Sequence, residues 1–287
     1  MSPGAPPTVV TVLDDAVRRL REAGVADPRR DAAALMALVL GTDRGGVAAR
    51  KPDPLDPEPA ARFAALVAAR ARRAPLQHLA GQAEFLGLEL AVSADVLIPR
   101  PETEDLVQAV LDAGLPEDAR IADLGTGSGC IAIALAAARP RFAITAVDAS
   151  PRALRVAEEN AARHDVSGRV TFVEADFASL PTTWNGAFDA IVSNPPYISE
   201  AEWRELAPEV RDHEPKQALV PGPTGHEAYE AIVHGARAVL RRGGLLALEL
   251  GWKSEEAVRA RVGAAGFREI VVRPDMQGIP RVLTARR

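Results

Sequence analysis

Ser193-Asn194-Pro195-Pro196-Tyr197 closes the apolar run Phe188-Asp189-Ala190-Ile191-Val192. Two consecutive prolines supply no ladder donors and hold φ near about −65°, so the strand stops here with its last carbonyls free. Free acceptors suit one task well: gripping the N–H bonds of a nitrogen that must be alkylated, so that its lone pair faces an electrophile. Asn194 offers a side-chain carbonyl and Pro195 a backbone oxygen, with Pro196 alongside. The Tyr197 ring can stack on a planar amide or base. Taken alone, Asn-Pro-Pro-Tyr is more economically a Pro-rich turn, so the functional weight rests on what lies upstream.

Upstream, Asp123-Leu124-Gly125-Thr126-Gly127-Ser128-Gly129-Cys130 joins a strand end to a helix start through glycines that admit a ligand close to the backbone. The spacing is G-x-G-x-G rather than G-x-G-x-x-G, which disfavours a pyrophosphate cradle and an NAD-dependent oxidoreductase. The next strand ends in Ala146-Val147-Asp148, nineteen residues past Gly129, where a carboxylate can accept both hydroxyls of a ribose. The one after ends in Glu174-Ala175-Asp176-Phe177, an acid for an adenine amino group and a ring for its face. Each acid alone reads as a helix cap or surface charge. Three successive strand ends of this chemistry describe a pocket for an adenosine without phosphates, and beside a grip for N–H₂ that points to S-adenosylmethionine.

The elements that must position these groups are legible in the periodicity. From Arg120 onward strands and helices alternate, which implies a doubly wound α/β domain with strands at Ile121–Leu124, Phe142–Asp148, Val170–Glu174, Phe188–Ser193, Gly244–Leu250, Glu269–Arg273 and Arg281–Ala285. The Gly/Pro-rich stretch from Ser199 to Gly225, with Trp203, His213 and Glu214, is a long insertion beside the carboxyl ends of the strands. From Val9 to about Arg73 apolar residues recur at helical intervals, so two or three helices pack together. The proline-rich run Lys51–Pro59 connects them. Gln77–Val92 alternates around glycines and reads as a β-hairpin. It leads into Ile98-Pro99-Arg100-Pro101-Glu102-Thr103-Glu104, with Thr103 a cap for a helix Asp105–Ala113 and the carboxylates at its positive end.

Composition narrows the classes further. The 287 residues are 47% apolar, with a formal charge of −5 that provides no broad basic field for a nucleic acid. Residues 1–80 carry twelve Lys and Arg against nine Asp and Glu, +3, leaving −8 for the rest. That asymmetry could help a helical domain meet an acidic partner, though a difference of this size suits a solvated surface better. One cysteine, Cys130, rules out an intrachain disulfide framework and reads as a small core residue. The histidines lack ligand spacing, so no metal site is expected. Met1–Pro7 lacks a basic start followed by an apolar run, and no stretch could cross a bilayer. The expectation is a cytoplasmic monomer that binds neither membrane nor nucleic acid stably.

The glycine turn, Asp148 and Asn194-Pro195-Pro196-Tyr197 resemble the class I S-adenosylmethionine-dependent methyltransferases that act on nitrogens of planar systems. With Gln77, Gly81, Glu84-Phe85 and the Ile-Pro-Arg-Pro-Glu-Thr-Glu block in this order, nearly the whole chain resembles the HemK/PrmC family of peptide chain release factor glutamine methyltransferases. Leu86 departs from that pattern, where the family usually has an aromatic. The resemblance implies a Rossmann-like, mostly parallel seven-stranded sheet, with a helical domain at 1–76 that helps dock the release factor, a hairpin linker at 77–100 and a methyltransferase domain at 101–287. The implied reaction is methyl transfer to the glutamine amide of a Gly-Gly-Gln motif, modulating translation termination. Asn194, Pro195 and Tyr197 would do the chemistry, and Asn194 to Tyr197 would hold the substrate. Gly125, Thr126, Gly127, Ser128, Gly129, Asp148, Asp176, Phe177 and Asn194 would hold the cofactor. Arg100, Glu102 and Thr103 are assigned to the cofactor pocket or its adjoining loop. Rival readings are adenine-N6 methylation, methylation of a ribosomal-protein glutamine, and a binding module that keeps the adenosine pocket without turnover.

Overall fold

The computed structural model describes residues 6–287; residues 1–5, part of the stretch read for a leader, lie outside the described residues. The chain divides into two compact units. One runs to Gly81 and takes in Ala207–His213; the other comprises Gln82–Leu206 and Glu214–Arg287.

The helical unit holds α1 (Val9–Glu22), α2 (Pro28–Leu40), α3 (Arg44–Ala49), α4 (Pro57–Ala71) and α5 (Leu76–Ala80). Asp27 caps α2 by accepting from Arg30 N, Pro28 starts it, and Gly41 ends it in the left-handed conformation. Pro57 likewise opens α4, which is why the proline-rich run stops being a connector there. Leu13, Leu20, Leu35, Met36, Phe63 and Val67 form its core. Two of these helices were not legible. α3 contains Gly45-Gly46, and five-residue α5 is too short to show a period; it occupies the start of the stretch read as a hairpin.

The second unit opens with the hairpin β1 (Gln82–Phe85) and β2 (Leu88–Ala91), then α6 (Thr103–Leu111). β3 (Arg120–Leu124), α7 (Cys130–Ala138), β4 (Ala143–Asp148), α8 (Pro151–Arg163), β5 (Val170–Glu174) and β6 (Phe188–Ser193) follow. Short α9 (Glu200–Trp203) lies in the insertion, and α10 (Pro208–Arg211) belongs to the helical unit. α11 (Glu227–Val239), β7 (Leu240–Glu249), α12 (Glu255–Ala264), β8 (Arg268–Pro274) and β9 (Pro280–Arg286) complete it. The seven-stranded sheet has the order β5-β4-β3-β6-β7-β9-β8, with β9 antiparallel to both β7 and β8 and the other neighbours parallel.

Alternate residues of the strands feed two cores. Ile121, Ala190, Val192, Leu245 and Ala247 face one, while Ala122, Leu124, Ile191, Leu246 and Leu248 face the other. The strand order reverses between β3 and β6, so the loops leaving their carboxyl ends open side by side, where open α/β sheets bind ligands. β7 begins four residues before the expected strand. Leu240 pairs with Phe188 ahead of a bulge, and Gly243-Gly244 lies within the strand.

α10 explains part of the insertion. Arg70 is buried, its Nε 2.7 Å from Asp31 and its Nη2 3.1 Å from Glu209; Arg73 meets Glu209 at 2.6 Å. Burial pushes the Glu209 carboxyl up, but the bonds from Arg73 and Arg70 outweigh it and bring it to about 2. Removing one partner of a buried pair strands the other charge, at a cost of roughly 3–5 kcal/mol. Arg70→Met is therefore expected to destabilise the helical unit by about that amount, read as faster amide hydrogen exchange across α2 and α4; unchanged exchange would show the pair to be dispensable.

Candidate active site at the sheet switch point

The glycine turn is held by its neighbours in the sheet. Gly125 N and Thr126 N both donate to Val147 O, at 2.8 and 2.9 Å, and Gly127 N donates to Asp148 Oδ2 at 2.9 Å. All three glycines have positive φ, which side chains resist. A Cβ on Gly125 or Gly127 would meet nothing within 4 Å, whereas one on Gly129 would lie 3.3 Å from the Ala157 backbone. The first two glycines thus leave open room over the strand ends, and the third lets α7 start close against α8. Thr126 and Ser128 are buried, and the Thr126 hydroxyl donates to Asp123 at 2.6 Å, bracing the turn from beneath.

Asp148 accepts from Gly127 N through one oxygen and from Ser150 N through the other, at 2.9 Å each. Each oxygen keeps a lone pair for a hydroxyl. Burial raises its pKa against the pull of those backbone donors. Ala175 N donates to Asp148 O, which brings the end of β5 beside it. There Asp176 is exposed and caps the turn at Ala178 N, and Phe177 is half-buried against the second core. An open glycine turn, a braced carboxylate with spare acceptors and a partly exposed ring at adjacent strand ends fit an adenosine-type cofactor.

At the end of β6, the buried Ser193 hydroxyl donates to Leu124 O at 2.5 Å, fastening the second loop to the first. No described residue donates to the carbonyls of Asn194, Pro195 or Pro196. Asn194 Nδ2 donates to Thr103 Oγ1 at 3.0 Å, and Thr103 Oγ1 donates to Glu249 Oε2 at 2.7 Å. The Tyr197 ring packs on Gly251 so closely that a Cβ there would lie 2.6 Å from its Cδ2. Burial, then the neighbouring Glu249 charge, push the Tyr197 hydroxyl up to about 12, so it stays neutral.

The Ile-Pro-Arg-Pro-Glu-Thr-Glu block differs in detail from its expected duties. Thr103 does not cap α6: Glu102 occupies that position without a side-chain bond, and the Thr103 side chain is buried against Glu249. α6 accordingly starts two residues earlier than its period suggested. Glu104 accepts from Leu86 N at 3.0 Å, holding the hairpin turn where Leu86 has a φ of 48°. Arg100, bracketed by prolines, reaches the buried Glu214 of the insertion at 2.7 Å, and the other Glu214 oxygen accepts Ile98 N. Glu214 and Glu249 were not singled out for roles at the site. Glu249 was the findable one, a lone acid near the end of the apolar strand Leu245-Leu246-Ala247-Leu248-Glu249-Leu250. Cys130 packs against the first core, its thiol pushed by burial to about 12.

Residues 102–222 match the family model described as methyltransferase small domain, and residues 11–81 the one described as PrmC N-terminal domain. A methyltransferase from Pyrococcus furiosus superposes with a TM-score of 0.53 at 19% identity, covering 76% of this chain and 98% of that one. The hMettl16 catalytic domain, solved with MAT2A 3'UTR hairpin 6, gives 0.55 at 18% identity, covering 77% and 81%. Fold and site together define a class I S-adenosylmethionine-dependent methyltransferase. Over 275 residues the chain is 46% identical to the release factor glutamine methyltransferase of Cereibacter sphaeroides, covering 96% of each. With that of Mycolicibacterium smegmatis it shares 45% over 278 residues, covering 96% of this chain and 97% of the relative. The chain belongs to the release factor glutamine methyltransferase family.

Asp123, fully buried beneath the turn, has its carboxyl raised by burial to about 7. An acid that holds its proton more tightly when folded adds stability below its unfolded pKa of about 4, and that contribution disappears as pH rises to about 7. Asp123→Asn removes the ionisation while keeping an acceptor for Thr126. The stability of the native protein relative to this variant should fall between about pH 4 and pH 7 and level off above, as urea unfolding across that range would read; a flat difference would contradict it.

Proposed function

We propose that this protein transfers a methyl group from S-adenosylmethionine to the side-chain amide nitrogen of the glutamine in the Gly-Gly-Gln motif of bacterial class 1 peptide chain release factors, acting as a cytoplasmic monomer and so modulating translation termination. The observation that carries the reading is the adjacency, at one switch point, of an open glycine turn and a strand end with unpaired acceptors, joined by the Ser193 to Leu124 bond. Full-length similarity to enzymes named for this reaction supports the choice of substrate.

The residues divide the work as follows. Gly125 to Gly129 would admit the cofactor to the strand ends, Asp148 would accept its ribose hydroxyls, and Asp176 and Phe177 would flank its base. When bound, S-adenosylmethionine supplies an electrophilic methyl and leaves as S-adenosylhomocysteine, and the amide nitrogen gives up one of its two protons to water as the N–C bond forms. An amide nitrogen is a poor nucleophile, because its lone pair is delocalised into the carbonyl. Asn194 Oδ1 and Pro195 O would accept its two hydrogens, polarising the N–H bonds, and the Tyr197 ring would pack on the amide plane. Pro196 keeps the loop from folding back onto those acceptors. Holding reactants in a near-attack arrangement can supply roughly 7–11 kcal/mol of a barrier, so positioning is the main resource.

The test is transfer of labelled methyl to purified release factor, beside a Gly-Gly-Gln variant with Ala for Gln, and a DNA control. Label on the native factor alone is expected, with Asn194→Ala lowering kcat by roughly 10²-fold or more. Label on DNA would move the reading to base methylation. No label on any acceptor, with cofactor binding intact, would favour the binding module.

A further inference from the structure

A hydroxyl has one proton, and Thr103 donates it to Glu249 Oε2. What Thr103 then offers Asn194 is a lone pair, so the end of the amide that meets it must be Nδ2, as the 3.0 Å bond has it. The other end, Oδ1, is turned away and has no donor among the described residues. Both supporting side chains are almost fully enclosed, Thr103 at 2% exposure and Glu249 at 1%, so water does not compete for these bonds. The backbone around Glu249 is itself fixed: the Tyr229 hydroxyl donates to Glu249 O at 2.9 Å and accepts from Gly251 N at 3.0 Å.

We infer that Glu249, acting through Thr103, is a positioning residue that sets which end of the Asn194 amide faces the substrate, presenting Oδ1 rather than Nδ2 to the incoming N–H bonds. The inference rests on the function proposed above and deepens it. A carboxylate can only accept, so an ionised Glu249 imposes one direction on the whole chain of bonds. A protonated Glu249 can donate to Thr103. The Thr103 proton then turns to Asn194, takes Oδ1, and leaves an N–H₂ group facing an N–H₂ group.

The two states lie within ordinary pH. Burial raises the Glu249 carboxyl to about 7, with Thr103, Arg281 and Arg100 favouring the charged form and Glu102 opposing it. The other titratable groups facing it, Tyr197, Tyr229 and Cys130, are all held neutral by burial. Productive geometry belongs to the ionised form, so activity should fall as pH drops through about 7.

Three variants in the full-length chain test this, with labelled methyl transfer to release factor as the rate and calorimetric S-adenosylmethionine binding as the control. Thr103→Val removes the hydroxyl while keeping the shape, and kcat should fall roughly 10²-fold with KM for the factor and cofactor affinity within about twofold. Thr103→Ser, which restores the hydroxyl, should recover most of the rate. Glu249→Gln keeps an acceptor for Thr103 but does not titrate, so the acid limb near pH 7 should vanish. If Thr103→Val fails to fold, the Ser variant and the Glu249→Gln pH profile decide the matter. Native transfer with an unchanged acid limb in Glu249→Gln, or native kcat in Thr103→Val, would overturn the positioning role and leave the proposed function standing. A native protein that methylates no release factor would overturn both.

Discussion

The arrangement depends on one pairing, that of β3 with β6 across the point where the strand order reverses. Because β4 and β5 lie on one side and β7 on the other, the loops leaving β3 and β6 have no crossover helix between them and open into the same space. The Ser193 hydroxyl makes the neighbourhood rigid, since a buried 2.5 Å bond to Leu124 O ties the last residue of β6 to the last of β3. Glycines over that space and prolines beside it then do opposite jobs. The former leave room for a ligand, and the latter prevent the chain from using up its own acceptors.

Around this pairing the protein buries acids instead of avoiding them. Asp123 and Glu249 are both enclosed, and burial lifts each to about 7. Neither has a basic side chain bonded to it; each is met by a threonine hydroxyl, Thr126 and Thr103. A hydroxyl is a weaker partner than a guanidinium, but it passes direction along, because it must accept on one side what it does not donate on the other. Such bonds specify orientation more than they add stability. By contrast, the ion pairs of Arg70 and Arg73 with Asp31 and Glu209 anchor α10 in the helical unit, where charge strength matters and direction does not.

The sheet was legible because strands buried on both faces are short, nearly continuous apolar runs bounded by turn residues. Six of the seven came within two residues at each end, and β7 begins four residues before the expected strand, at Leu240. The longer helices of the helical unit were legible from their period. Small ones were not: α3 and α5 carry too few residues to show a period, and α5 takes its place from the glycine that ends it. The local pattern also misplaced Thr103. A threonine ahead of an acidic helix start is indistinguishable in sequence from an N-cap, and only the presence of Glu249 across 146 residues of chain gives its hydroxyl another partner.

By itself the sequence determined the chemistry on offer: glycines at a strand end, an acid at the next, and Asn-Pro-Pro-Tyr, whose prolines limit the backbone wherever they occur. These are local constraints of sterics and hydrogen-bonding capacity, and they hold before any tertiary contact forms. The tertiary structure alone decided which strand ends share a space, which way the Asn194 amide points, and that Arg100 answers Glu214. Those outcomes depend on residues far apart in the chain meeting in a low-dielectric interior, where an unpaired donor or acceptor is costly.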